Sequence, residues 1–352
     1  MPGGGFRNDY KTYGGECPPE LMLVPGDLYV SLKGATKDGE MIGSVARLPS
    51  TVPSGRLTQD TVRLVFLERD ATFERYFYWL LRTPDYRDYC AGRATGSAVV
   101  ALSRQDFLSY NVPHLTPRRR CIVDVLESIE DKIESNRRAI DLSLRLLDAL
   151  AEQWAESLPR TPLRELTSIN RVTANPSQMG DVLVDHFSLP AFDASARPEV
   201  VPASTIKSNK THVTARSVLV SRLNPRTNRT WWATPRAGIP ALASTEFACL
   251  VAPGDRSLAG LWLAVRDPRF RAELARRVTG TSGSHQRVRP DDLLVMVVPD
   301  VRAMPKSVTD RALLVLELVE KRRDEIWDLE SLRDALLPEL LSGRARVRDT
   351  VT

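Results

Sequence analysis

Two stretches of this chain, about 190 residues apart, carry nearly the same pattern, and that internal repeat restricts the fold more than any other feature. The first copy runs Thr95-Gly96-Ser97, Asp106-Phe107-Leu108 and Val112-Pro113, and then a helical pattern from about Arg118 to Trp154. The second runs Ser282-Gly283-Ser284, Asp292-Leu293-Leu294 and Val298-Pro299, and then a helical pattern from about Thr309 to Leu341. In both, Asp and Pro are seven residues apart. Two copies at this period are too few and too long for a solenoid. They predict two equivalent modules joined by helices.

The upstream halves align as well. Gly26–Ser31 stands opposite Arg216–Ser221, Thr58-Gln59-Asp60 opposite Ser244-Thr245-Glu246, and Tyr78-Trp79-Leu80 with Pro84 opposite Leu261-Trp262-Leu263 with Pro268. The second globular segment begins near Pro159, and by the same offset the first would begin about thirty residues before Met1. The expectation is a chain short at its N-terminus, either by true truncation or through a start codon placed late.

In the first helical segment, Ile122, Leu126, Ile129, Ile133, Ile140, Leu147, Leu150 and Trp154 recur at steps of three and four, with Asn136 on the same stripe. That pattern is a coiled-coil seam, and a single Asn on such a seam fixes register at some cost in stability. The second shows Val315, Val319, Ile326, Leu329, Leu336 and Leu340, interrupted by Arg322 and Arg333. About 33 helical residues give a rod of roughly 50 Å. Pro113 and Pro117 open the first helix and Gly343 closes the second. Two such rods after two such modules can pair antiparallel within one chain and hold the modules a fixed length apart.

A chain of 352 residues has room for roughly two domains of ~150 residues, each with its own core. No apolar run approaches the ~18 residues of a membrane helix, and the start Met1-Pro2-Gly3-Gly4-Gly5 lacks a signal pattern. Cys17, Cys90, Cys121 and Cys249 stand far apart, with no Cys-x-x-Cys, so they read as four reduced thiols of a cytoplasmic protein. The net charge of +5 is unevenly placed. Residues 161–299 carry 18 Lys and Arg against 11 Asp and Glu, while the other segments are balanced. Val200 to Thr245 holds Lys207, Lys210, Arg216, Arg222, Arg226, Arg229 and Arg236 with no acid, which reads either as a polyanion footprint or as a solvated basic face.

Catalytic patterns do not assemble. A base methyltransferase needs Asn/Asp-Pro-Pro-aromatic, and Asn175-Pro176-Ser177 and Asn224-Pro225-Arg226 lack the second proline and the aromatic. Gly92-Arg93-Ala94-Thr95-Gly96-Ser97 lacks the lysine of a phosphate loop. There is no Gly-x-Ser-x-Gly and no His-Glu-x-x-His. His114, His186, His212 and His285 stand apart, and the Pro-Asp pairs lack a nuclease Glu-x-Lys. The expectation is a non-catalytic chain with no metal site and no cofactor of its own.

Ser128-Ile129-Glu130-Asp131-Lys132-Ile133-Glu134-Ser135-Asn136-Arg137-Arg138, leading into Leu147-Asp148-Ala149-Leu150 and Trp154, resembles the central conserved region of type I restriction–modification specificity subunits. Leu336-Leu337-Pro338-Glu339-Leu340-Leu341-Ser342-Gly343, with Arg344-Ala345-Arg346-Val347, is similar to the C-terminal conserved region of that family. The resemblance implies an α+β chain with two mixed α/β target recognition domains separated by two long antiparallel coiled-coil helices. The expected bounds are 1–117 for the first domain, 118–158 for the central helix, 159–304 for the second domain, 305–344 for the C-terminal helix and 345–352 for a tail. It further implies a subunit that reads a bipartite site on double-stranded DNA. Two modification (methyltransferase) subunits and restriction (translocase–nuclease) subunits would be its partners. S-adenosylmethionine, ATP and Mg would be held by those partners. The competing reading is a coiled-coil scaffold that does not read DNA.

Base and phosphate contacts are expected in loops after the repeated strand: Ser31, Lys33 and Thr36 in the first module, and Ser221, Arg222, Asn224, Arg226 and Arg229 in the second. Thr95, Ser97, Ser284, His285 and Arg287, with Lys207 and Lys210, complete the DNA-facing set. Trp231-Trp232 is expected in the core. The resemblance assigns subunit docking to Ile129, Ile133, Asn136, Ile140, Leu147, Val319, Ile326, Leu329, Leu336 and Leu340.

Overall fold

The computed structural model describes residues 4–6, 12–34, 40–67, 70–96, 99–278 and 286–341, the last three of these through their backbone. Residue contacts divide the described chain into two compact units, one of residues up to Lys132 with those from Asp328, the other Ile133–Trp327. The two long helices, Pro117–Ala155 and Lys306–Leu341, contribute a part to each unit.

The first unit is built on an antiparallel sheet in which β1 (Leu28–Ser31) lies between β2 (Val45–Arg47) and β3 (Thr61–Arg63). Helices Ala71–Leu80 and Pro84–Arg93 follow. Asp70 caps the former by accepting from the Thr72 and Phe73 amides, and those bonds hold its carboxyl below the usual carboxylate range. Thr83 caps the latter, with Pro84 at its first position, where the missing N–H costs nothing. Tyr76, Trp79, Tyr86 and Cys90 fill the core together with Ile122, Val123 and Leu126 of the first long helix.

The second unit contains the same sheet. Here β4 (Ser168–Ile169), β5 (Ser217–Ser221), β6 (Thr230–Ala233) and β7 (Phe247–Val251) lie in the order β6-β5-β7-β4. The registers match across the copies. Val30 faces Val62 as Val220 faces Ala248, and Ser31 faces Thr61 as Ser221 faces Phe247. A second sheet of five strands, Thr173–Ala174, Lys210–His212, Ala241–Ser244, Leu183–Phe187 and Glu199–Pro202 in spatial order, covers the other side of β5, which is buried along its whole length. Trp231 and Trp232 are core residues, as expected. Helices Asp255–Ala264 and Pro268–Arg276 repeat the first unit's pair, with Asp267 in the capping place of Thr83.

Each unit also shows how the long helices pair. In the first, Arg333 Nη1 donates to Glu130 Oε2 at 2.9 Å, and Leu337 joins the cluster of Ile122 and Leu126. In the second, Arg322 Nη1 donates to Asn136 Oδ1 at 3.2 Å, and Ala312 and Leu316 share a core with Leu147 and Ala151. In both, later residues of one helix meet earlier residues of the other, so the pairing is antiparallel. Arg322 and Arg333, which interrupt the apolar stripe, are therefore seam residues that each meet a polar group across the pair. Among the described residues no helix is long and apolar enough to cross a membrane.

Candidate nucleic-acid interface

The loops that follow β1 and β5 are held by one shared frame. In the first unit Ser31 Oγ donates to the Lys33 carbonyl at 2.7 Å, Leu32 N donates to Asp60 O at 2.9 Å, and Leu102 N donates to Leu32 O at 2.9 Å. In the second, Ser221 Oγ donates to the Leu223 carbonyl at 2.9 Å, Arg222 N donates to Glu246 O at 2.8 Å, and Val288 N donates to Arg222 O at 3.1 Å. Lys33 pairs with Ala101 where Leu223 pairs with Arg287. The repeat read from sequence thus extends to individual hydrogen bonds.

This frame corrects part of the expected DNA-facing set. Ser31 and Ser221 are fully buried, and both hydroxyls are spent on a carbonyl two residues on, so neither faces a ligand. Lys210 is buried too, its ammonium held by the Ser208 carbonyl and hydroxyl, and burial lowers its pKa. Arg222 turns inward and donates to the carbonyls of Val288 and Thr245; its burial lowers its pKa, against the pull of Glu246. Thr36, Ser97, Ser284 and His285 lie outside the described residues.

The acid-free basic stretch is also less positive in space than in sequence. Arg229 makes a bidentate pair with Asp193 at 2.6 and 2.9 Å. Arg236 makes another with the buried Asp185, and Arg216 bonds Asp255 and Glu317. Arg287 clasps Glu246, whose hydrogen bonds and charge raise the arginine's pKa. Every one of these carboxylates comes from outside Val200–Thr245. Lys207 and Arg226 are exposed and make no ion pair among the described residues.

What the structure does bring together is the rim of each frame. In the first unit this is Lys33, exposed on its strand, beside Ala101, which also bridges to the exposed Thr95. Gly96 follows at φ +116°, where a Cβ would stand 2.2 Å from the Val99 carbonyl oxygen, so this turn requires glycine. In the second unit it is Asn224, Arg226 and Arg287. Asn224 takes the left-handed conformation (φ +47°), and its amide donates to Gln286 O at 3.0 Å, joining the two loops. The arrangement can present a few side chains at one sheet end. Among the described residues no group of three or more His, Cys, Asp and Glu side chains is placed to hold a metal ion.

The expected docking set divides by burial. Ile129, Ile133, Asn136, Leu147 and Val319 are buried within the chain, and Ile140, Ile326, Leu329 and Leu336 are half-buried. The side chain of Leu340 lies outside the described residues. The buried side chains are spent on the chain's own helix pair, while the half-buried ones keep part of their surface open. The outward apolar residues, Leu142 and Leu146 on one helix and Leu314 and Leu318 on the other, were not foreseen. Their signal was present as apolar residues off the main stripe.

No family model and no curated protein matches this chain. Among solved structures it is similar to the HsdS subunit from Thermoanaerobacter tengcongensis (14% identity, 94% of this chain and 84% of that one, TM-score 0.32). A structure concerned with complex assembly and conformational transition of the type I R-M system matches at 16% identity over 94% of this chain and 85% of that one, with a TM-score of 0.35. The fold is decided by another match. The crystal structure of the type I restriction-modification system S subunit from M. genitalium matches over 97% of this chain and 89% of that one, at 14% identity and a TM-score of 0.57, so the chain has the fold of that S subunit.

Proposed function

We propose that this chain is the DNA-specificity subunit of a type I restriction–modification complex, each unit reading one half of a bipartite duplex site. The observation that supports the reading best is the shared loop frame of the two units, Ser31-Leu32-Lys33 and Ser221-Arg222-Leu223. One backbone scaffold carries different rim side chains in the two copies, as two different half-sites require. The M. genitalium likeness and the resemblance of both long helices to that family agree with it. On this reading the chain performs no chemistry. S-adenosylmethionine, ATP and Mg belong to the modification and restriction subunits, and the helix pair sets the gap between half-sites.

The test is to map modified bases in DNA from cells expressing this chain together with type I modification subunits from the same genome. The expected outcome is a bipartite motif of two unlike halves. Substitution of Lys33 or Thr95 should change one half, and substitution of Asn224 or Arg287 the other. In binding assays Arg226→Ala should lower the log–log salt slope by about 0.9 per lost phosphate contact. Arg229→Ala should leave it unchanged, because Asp193 already neutralises that charge. The pairing of most of the basic stretch favours the non-DNA scaffold reading, and an unmodified genome with no salt-dependent DNA binding would establish that reading instead.

A further inference from the structure

The sheet that the two units share differs at one edge. The second unit's sheet has four strands, β6-β5-β7-β4, while the first unit's stops at three, β2-β1-β3. By register, β3 is the counterpart of β7, so the edge that β4 occupies in one copy has no strand partner among the described residues of the other. Beside that edge, still within the first unit, lies a cavity of about 1030 Å³ lined by Leu32, Leu64, Val65, Phe66, Phe107 and Leu108 among others. Val65 is 74% exposed and Leu108 79% exposed, large values for apolar residues facing a common hollow.

In the second unit the chain itself fills the corresponding space. Leu163 is fully buried and its amide donates to Met296 O at 2.8 Å. Thr167 Oγ1 donates to Val251 O at 2.8 Å, and Asn170 N donates to Cys249 O at 2.8 Å. Ile169 and Ser168 pair with Leu250 and Val251, and Leu166 and Ile169 pack on the core. By the repeat, Met296, Cys249, Leu250 and Val251 correspond to Tyr110, Arg63, Leu64 and Val65. Three of these four belong to the cavity wall.

We propose that this groove receives a segment of a partner protein with the chemistry of Leu163–Asn170: a turn carrying two leucines three apart, then an extended stretch that adds a fourth strand to β3. A free strand edge supplies main-chain hydrogen bonds, and the apolar hollow beside it supplies side-chain selectivity. The occupant is identified by the way the same fold closes its own groove in the other copy. This inference does not depend on DNA reading.

The experiment titrates a fluorescein-labelled peptide, Arg-Thr-Pro-Leu-Arg-Glu-Leu-Thr-Ser-Ile-Asn (the sequence of residues 160–170), with the full chain. Saturable binding is expected, with photo-crosslinks to residues 61–66. Val65→Asp and Leu108→Asp, both at exposed positions compatible with folding, should each weaken it at least tenfold. A peptide with both leucines replaced by aspartate should not bind. The absence of saturation at millimolar peptide, indifference to both variants, or crosslinks to the second unit would each overturn the proposal. So would a dimer of the chain that Val65→Asp dissociates, since the groove would then hold a second copy.

Discussion

Glu127, on the first long helix, ties that helix to the sheet of the first unit, and its removal should have a large and local effect. Its carboxylate accepts from Arg47 Nη1 at 2.8 Å, from Arg47 Nη2 at 2.6 Å and from Trp79 Nε1 at 2.6 Å. Burial disfavours the Arg47 charge, yet the bonds and charge of Glu127 more than offset it and raise the arginine's pKa. Glu127→Ala leaves a guanidinium and a fully buried indole N–H without their acceptor. Stripping one partner from a buried ion pair costs about 3–5 kcal/mol. The Arg47 side chain is 28% exposed, so water recovers part of that, and about 2–4 kcal/mol remains. Glu127→Gln keeps an acceptor for Trp79 but loses the charge, and should cost about 1–2 kcal/mol. With a urea slope of ~1–3 kcal/mol/M, Glu127→Ala should move the unfolding midpoint of the first unit down by about 1 M or more. Hydrogen exchange followed on Ala71–Leu80 reads that unit separately. A midpoint within about 0.2 M of the parent, or equal effects of Ala and Gln, would refute the reasoning.

Asn136 and Arg322 should show a coupling energy of about 0.5–1.5 kcal/mol in a double-mutant cycle, because their one hydrogen bond crosses the helix seam. Purely additive single substitutions would mean the bond contributes nothing. A pH effect is expected from His186, whose pKa is lowered to about 4 by burial and then by the Lys210 charge. The folded state therefore holds the imidazole neutral while the unfolded chain binds a proton near 6.5. Stability of the second unit should be flat above that pH and fall between about 6.5 and about 4, by on the order of 1–2 kcal/mol given its partial exposure. His186→Gln should flatten urea midpoints over that window, and an unchanged pH dependence would remove His186 as the cause.

The repeat, the two helices and the buried tryptophans were legible because each rests on periodicity or on matched spacing, which a sequence displays directly. Trp79 and Trp262 align by position, and both are buried with an arginine over the ring, Arg82 at 4.9 Å and Arg266 at 4.4 Å. The charge count missed the counter-charges for a physical reason. Asp185, Asp193, Asp255 and Glu317 lie 36 to 101 residues from the arginines they neutralise, so a count within one window cannot register them. The serines misled because a strand-end hydroxyl gives no sign of which way it turns. The five-stranded sheet was invisible, since strands of two to five residues carry too little alternation to distinguish from loop. Burial of Ile129, Ile133 and Leu147 within the chain was not legible because a heptad seam looks the same whether its partner is another chain or the same one.

The two copies also separate what holds the loop from what the loop could read. Positions with a matched role keep their bonding: Ser31 and Ser221 bond the carbonyl two residues on, and Leu32 and Arg222 donate to the equivalent carbonyls of Asp60 and Glu246. Positions on the rim diverge. Lys33 is replaced by Leu223, and Ala101 by Arg287. Glu246, whose counterpart is Asp60, acquires a second task by clasping that arginine. An arginine so clasped is oriented and partly neutralised. It is therefore suited to a directional hydrogen bond on a base edge more than to bulk attraction of phosphate. On the proposed reading, Arg287→Lys should change which half-site is modified more than it changes salt dependence, because lysine keeps the charge and loses the planar fork. Arg226→Ala should do the reverse. If both substitutions altered only overall affinity, the rim would be a phosphate contact and base reading would reside elsewhere in the unit.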